Sequence, residues 1–247
     1  MSPTPILELD GVEAGYGKMT ILHGASCAIA RSAITTVIGP NGAGKSTLFK
    51  AVFGLLPVRS GRVLFEGAEI TNLAPRRLLD LGIVYVPQGR NIFPELSVRH
   101  NLELGGIALT DQASLPARLE AIMRRFPVLR DKADQQASAL SGGQQKLLEV
   151  ARGLLLDPKL ILIDEPSIGL SPLLVKEVFD ILIALKQKGV SVLMVEQNAK
   201  SALEISDYGL VLEQGQARIQ DRASAILADP RIGRLFLGGS LGEKAVA

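Results

Sequence analysis

The stretch Gly39-Pro40-Asn41-Gly42-Ala43-Gly44-Lys45-Ser46-Thr47 constrains this chain more than any other part of it. A β-branched run, Thr35-Thr36-Val37-Ile38, precedes it and predicts a strand; a helical pattern over 45–53 follows. A strand, a glycine-rich turn and a helix in that order wrap backbone N–H groups around a hollow. The glycines permit the tight wrap, and the helix aims its positive end into the hollow. Lys45 adds a mobile full charge suited to β- and γ-phosphates, and the Ser46 hydroxyl can ligate Mg²⁺. The stretch reads as a cradle for a nucleoside triphosphate, so the chain must build the parallel strands that present such a loop.

The remaining pattern agrees with that demand. Strands are expected at 6–9, 27–29, 63–65, 83–86, 160–163, 190–195 and 208–212, and helices over 98–104, 115–126, 144–156 and 172–188. In the last helix Leu174, Val178, Ile181 and Leu185 fall on one face, with Pro172 near its start and Gly189 at its end. The fold class expected is α/β, a mostly parallel sheet flanked by helices and interrupted by a helical insert. A chain of 247 residues can bury one large core or a domain with a subdomain.

The run Leu160-Ile161-Leu162-Ile163 ends in Asp164-Glu165. A buried strand delivers both carboxylates to the sheet edge that carries the phosphate loop. Strand alternation predicts that they point in opposite directions and differ in role. Asp164 is placed to hold Mg²⁺ through a water, and Glu165 to orient or deprotonate the attacking water.

Upstream of that pair, Leu140-Ser141-Gly142-Gly143-Gln144 stands before a helix pattern. Taken alone it is a turn and an N-cap. In this order with the two preceding motifs it resembles the signature of the ABC ATPase family. Ser141, Gly142, Gly143 and Gln144 would then form a second anion site, which one chain does not need for itself. The resemblance implies that two cassettes, identical or different, face head to tail, each signature closing on the other's ATP. It covers essentially the whole chain. It implies a phosphate-loop, RecA-like core at roughly 1–88 and 157–247, an antiparallel N-terminal β part, and a helical subdomain at roughly 89–156. ATP and Mg²⁺ are the implied ligands.

Other positions fall into the same pattern. Tyr16, in Gly15-Tyr16-Gly17, resembles the aromatic that stacks on adenine, the alternative being a buried strand tyrosine. Gln88, in Val86-Pro87-Gln88-Gly89, resembles the hinge glutamine that reaches Mg²⁺. Ser171 resembles the loop residue that touches the partner cassette, and it also stands where it could cap the following helix. The departure is at the switch position, where many family members have histidine and this chain reads Val195-Glu196-Gln197-Asn198. Gln197 can donate an amide hydrogen bond to a γ-phosphate but cannot become cationic. The histidines, His23 and His100, lie elsewhere and read as structural or surface residues.

Segments 166–172, 195–199, 86–90 and 236–239 resemble LivF-type ATP-binding subunits of branched-chain amino acid importers; urea or short-amide importers are the nearest alternative. The resemblance implies integral membrane permease chains as partners, a solute-binding protein indirectly, and a place on the cytoplasmic face of the membrane. Ile92, Phe93, Pro94 and Leu96 form an apolar cluster that either docks a permease helix or packs inside the insert. Ser97 reads as an N-cap, with His100 where a capping-box acid would sit.

Composition excludes other classes. With 27 basic and 25 acidic residues the net charge is +2, which gives no argument for nucleic acid. A soluble, non-transport ABC ATPase is therefore the weaker reading, and a phosphate-loop kinase would leave 140–144 without a purpose. Cys27 is the one cysteine, so no internal disulfide forms, and its alternating context reads as core. Residues 1–9 lack a basic start followed by an apolar stretch, so no signal peptide is expected. The purely apolar runs fall far short of the roughly twenty residues of a spanning helix.

Overall fold

A computed structural model describes residues 4–89 and 91–232. Arg90 and the motif at 236–239 lie outside the described residues. The chain opens with β1 (Leu7–Ala14), β2 (Leu22–Ile29), β3 (Ile34–Ile38) and α1 (Lys45–Val52). It continues through β4 (Val58–Phe65), β5 (Ala68–Glu69), α2 (Pro75–Leu81) and β6 (Ile83–Val86). From there to β7 (Leu160–Asp164) the named elements are helical: α3 (Val98–Gly105), α4 (Leu115–Arg125), α5 (Pro127–Arg130), α6 (Gly142–Leu154) and short 3₁₀ turns. Next come α7 (Pro172–Gln187), β8 (Ser191–Val195), α8 (Ala199–Glu204), β9 (Tyr208–Glu213), β10 (Gln216–Arg222) and α9 (Ala223–Ala228).

Two sheets result. One is antiparallel in the order β2-β1-β4-β5; the other runs β10-β9-β3-β8-β7-β6, parallel from β9 to β6 with β10 antiparallel at its edge. β3, β7 and β8 are buried at every position because both faces of the parallel sheet are covered. Alternation then divides their side chains between two cores. Leu160, Leu162, Leu193 and Val195 face α1 and the antiparallel sheet, whereas Ile161, Ile163, Val192 and Met194 face α6 and α7. Cys27 is buried in the first core, and burial pushes its thiol up to about 12. No helix among the described residues is long and apolar enough to cross a membrane.

The parallel register aligns the carboxyl ends of the strands. Asp164 stands opposite Val195, Val86 opposite Ile163, and Val37 opposite Val195. The loops that follow β3, β6, β7 and β8 therefore converge on one edge, the place where open parallel sheets bind ligands.

Candidate functional site

The loop after β3 is shaped by close packing. Gly39 has φ 154°, and a β-carbon there would collide with the carbonyl oxygen of Leu212, so glycine is required. Lys45 begins α1, and its Nζ turns back to donate to the carbonyls of Gly39 at 2.8 Å and Pro40 at 3.1 Å. Burial lowers its affinity for a proton, while Glu165 and Asp164 oppose the shift. A cavity of about 370 Å³ opens over this loop, lined by Tyr16, Asn41, Gly42, Gly44, Lys45, Ser46, Thr47 and Glu165. That volume suits a small ligand. Tyr16 is 46 % exposed in the loop after β1, with Lys50 Nζ 5.6 Å from its ring centre. The buried-strand alternative for this tyrosine is thereby excluded.

Asp164 ends β7 on the same face as Leu160 and Leu162, which turns it toward α1. It is 1 % exposed; Oδ2 accepts from Tyr85 at 3.4 Å, while Oδ1 is buried without a hydrogen-bond partner among the described residues. Burial raises its pKa, and hydrogen bonds from Ser46 and Tyr85 pull the other way. An orphaned buried carboxylate oxygen beside a hydroxyl is a donor set that fits a small hard cation such as Mg²⁺.

Glu165 corrects one expectation. The strand ends at Asp164, and Glu165 has φ 47°, with its N–H bonded to Val195 O at 2.9 Å. Its direction therefore comes from a left-handed turn, not from strand alternation, and a non-glycine residue there costs about 1–2 kcal/mol. The turn brings Glu165 into the cavity, where its Oε2 accepts from Gln88 Nε2 at 2.7 Å. Gln197 is exposed on the loop after β8. Beside it, Glu196 is 1 % exposed and hydrogen-bonded to Ser167, a feature given no role on the sequence alone. The available signal was a carboxylate directly after an apolar strand, as at Asp164.

The signature lies apart from this cavity. Ser141 Oγ caps α6 by accepting from Gln144 N at 3.3 Å, and Gln144 Oε1 accepts from Ser141 N at 3.2 Å. Gly143 packs so closely on α7 that a β-carbon would lie 2.5 Å from Leu174 Cδ2. Gly142 lines a separate cavity with Ile168, Gly169 and Leu170. Ser171 occupies the N-cap position of α7 but makes no capping bond with its side chain, against that expectation. Ser97 does cap α3, accepting from His100 N at 3.1 Å. His23 and His100 are exposed.

The apolar cluster divides. Phe93 is 47 % and Leu96 36 % exposed, whereas Ile92 is half-buried against the second core. The Arg152 guanidinium lies 5.2 Å from the Phe93 ring centre, beside a cavity of about 240 Å³ bounded by Pro87, Leu104 and Gly153. Asn101, fully buried, holds this loop by accepting from Phe93 N at 2.8 Å and donating to Phe93 O at 2.9 Å.

The ABC transporter family model matches residues 22–168, from β2 through the phosphate loop and signature to the acid pair. The chain belongs to that family. It is an ABC ATPase, an ATP-binding and ATP-hydrolysing cassette. It is 38% identical to the high-affinity branched-chain amino acid transport ATP-binding protein BraG of Pseudomonas aeruginosa, over 95% of this chain and 100% of BraG. It is 37% identical to the probable LivF of Archaeoglobus fulgidus, over 92% of this chain and 96% of that protein. Among solved structures, an ABC transporter cassette in its ADP conformation superposes with TM-score 0.85 at 33% identity, covering 95% of this chain and 99% of the other. A nucleotide-free cassette gives TM-score 0.83 at 32% identity, covering 93% and 98%.

Proposed function

We propose that this ABC ATPase drives an importer of branched-chain or other hydrophobic amino acids. In this reading it sits at the cytoplasmic face of the membrane beneath integral permease chains, which a solute-binding protein supplies. The observation that carries the reading is the near end-to-end similarity to BraG.

The site residues receive these roles. Residues 39–47 cradle the ATP phosphates, Lys45 contacts the β- and γ-phosphates, and Tyr16 stacks on adenine. Ser46, Gln88 and Asp164 (through water) would hold Mg²⁺, which supplies charge neutralisation on the phosphates. Asp164 Oδ1, without a hydrogen-bond partner among the described residues, supports that fit. Glu165 orients or deprotonates the attacking water and releases its bond to Gln88 when nucleotide enters. Gln197 donates an amide hydrogen bond to the γ-phosphate. Ser141, Gly142, Gly143 and Gln144 serve the ATP of a second cassette packed head to tail. Their separation from the phosphate cavity supports this, as does the Ser141 cap, which uses an oxygen lone pair and leaves the O–H free to donate. The division proposed is a core of roughly 1–88 and 157–247, and a helical subdomain of roughly 89–156 that carries the signature and meets the permease.

Phe93, exposed beside the cavity at Pro87, is the proposed docking residue for a permease helix. Vesicles holding the complete transporter are expected to take up labelled leucine, and not urea, when ATP is supplied. Phe93→Asp is expected to abolish that uptake and the recovery of the chain with integral membrane subunits, leaving ATP binding intact. Urea uptake without leucine uptake would move the reading to the short-amide importers, and an unaffected Phe93→Asp variant would remove the docking assignment. At the switch, Gln197→Ala should lower the ATPase rate uniformly across pH. No titration near pH ~6.5 should depend on residue 197, because an amide does not ionise there. A profile whose shape changes in the variant contradicts that role.

A further inference from the structure

Glu196 is a buried carboxylate that the roles above do not use. It follows β8 directly, and its partners lie on two loops. Oε1 accepts from Ser167 N at 2.8 Å; Oε2 accepts from Ser167 Oγ at 2.8 Å and from Gln197 N at 3.1 Å. Ser167 stands two places after Glu165, and Gln197 is the switch residue, so one side chain joins the loops that leave adjacent parallel strands. We infer that Glu196 is a positioning residue for hydrolysis, a clasp that fixes Glu165 and Gln197 relative to each other across the place of the γ-phosphate. The inference rests on the assignment of Glu165 and Gln197 made above.

Three points carry it. First, the contact is charge-assisted and two-pronged, which sets direction as well as distance. Second, the carboxylate is 1 % exposed and burial raises its pKa, so it is held by the donors that surround it, not by solvent. Third, Glu165 is itself in a left-handed conformation, φ 47°, that the neighbouring loops must maintain. Besides the clasp, the connection across this edge includes the Glu165 N–H bond to Val195 O at 2.9 Å, which fixes the backbone but not the approach of the Ser167 loop. An amide at 196 would face the Gln197 N–H or the Ser167 N–H with an NH₂ group, donor against donor, and open one prong.

The test uses the full chain with magnesium–ATP. Glu196→Gln is expected to lower kcat about tenfold to a hundredfold, the scale of a misplacement of about 1 Å, while the ATP dissociation constant and the melting temperature change little. Ser167→Ala, which removes only the hydroxyl prong, should lower kcat less. The double variant should lose less than the product of the single losses, because both act through one clasp. A wild-type kcat in Glu196→Gln overturns the inference; so does a fall in kcat matched by an equal fall in ATP affinity. Should Glu196→Gln fail to fold, Ser167→Ala decides alone: slow turnover with intact ATP affinity supports the clasp, and a wild-type rate removes it. The two levels of assignment separate cleanly. Full activity in Glu165→Gln ends both, whereas an inactive Glu165→Gln beside a fully active Glu196→Gln ends the clasp only.

Discussion

Glu165→Gln is expected to keep ATP and lose turnover. Glutamine has the length and shape of glutamate, so the cavity wall is preserved, and its carbonyl oxygen can still accept from Gln88 as Oε2 does at 2.7 Å. What disappears is the charge proposed to orient and deprotonate water, a contribution of about 10²–10⁴ in rate. Binding is expected to hold or tighten, because a carboxylate on the wall of the proposed phosphate cavity becomes neutral. The nucleotide-bound state then accumulates, and with it the head-to-tail dimer proposed above. Steady-state ATPase rates, nucleotide titration and ATP-dependent change in molecular mass check the three parts. A Glu165→Gln variant that turns over at the wild-type rate assigns the base elsewhere.

The residues named in that prediction were legible in the sequence to different depths, for physical reasons. The phosphate loop declares itself because only glycine tolerates the approach of Leu212 O to Gly39. The strand at 83–86 matches β6, and the helix expected over 115–126 matches α4, because burial wrote their periods into the side chains. The sequence also led to Asp164 and Glu165 as a pair, but by an alternation that stops one residue too early. The left-handed turn at Glu165 comes from the bond to Val195 O across the sheet, and no local pattern encodes it. β4 begins at Val58, five residues before the run expected at 63–65, because pairing with β1 recruits the polar Ser60 and Arg62. β10 escaped for the same reason: it is an edge strand with no fully buried side chain to mark it. In α2 the signals were present, Pro75 at the start and left-handed Gly82 at the end, but Leu78 is its one buried residue, too weak a period to register. Glu196 shows the limit most plainly. Its meaning depends on Ser167, which the fold brings beside it and the sequence keeps far away.

Lys45→Ala should weaken ATP binding most. In the free chain Lys45 is 8 % exposed and its ammonium bridges the carbonyls of Gly39 and Pro40, so it is already largely desolvated and aimed across the loop. Burial lowers its pKa, yet Glu165 and Asp164 counter that shift, and triphosphate would oppose it far more strongly. Removing one partner of such a desolvated charge pair costs about 2–5 kcal/mol, roughly thirtyfold to several thousandfold in Kd. The free protein should suffer less, because the same substitution also removes a buried cation whose present partners are neutral carbonyls. Lys45→Met separates the two effects: it fills the volume without the charge, so it should bind ATP as poorly as Lys45→Ala while keeping the melting temperature of the free chain. Titration calorimetry with ATP and thermal denaturation without it measure both quantities. An affinity that stays within about threefold of wild type in both variants leaves the backbone N–H groups and the α1 terminus as sufficient holders of the phosphates, and removes Lys45 from the cradle.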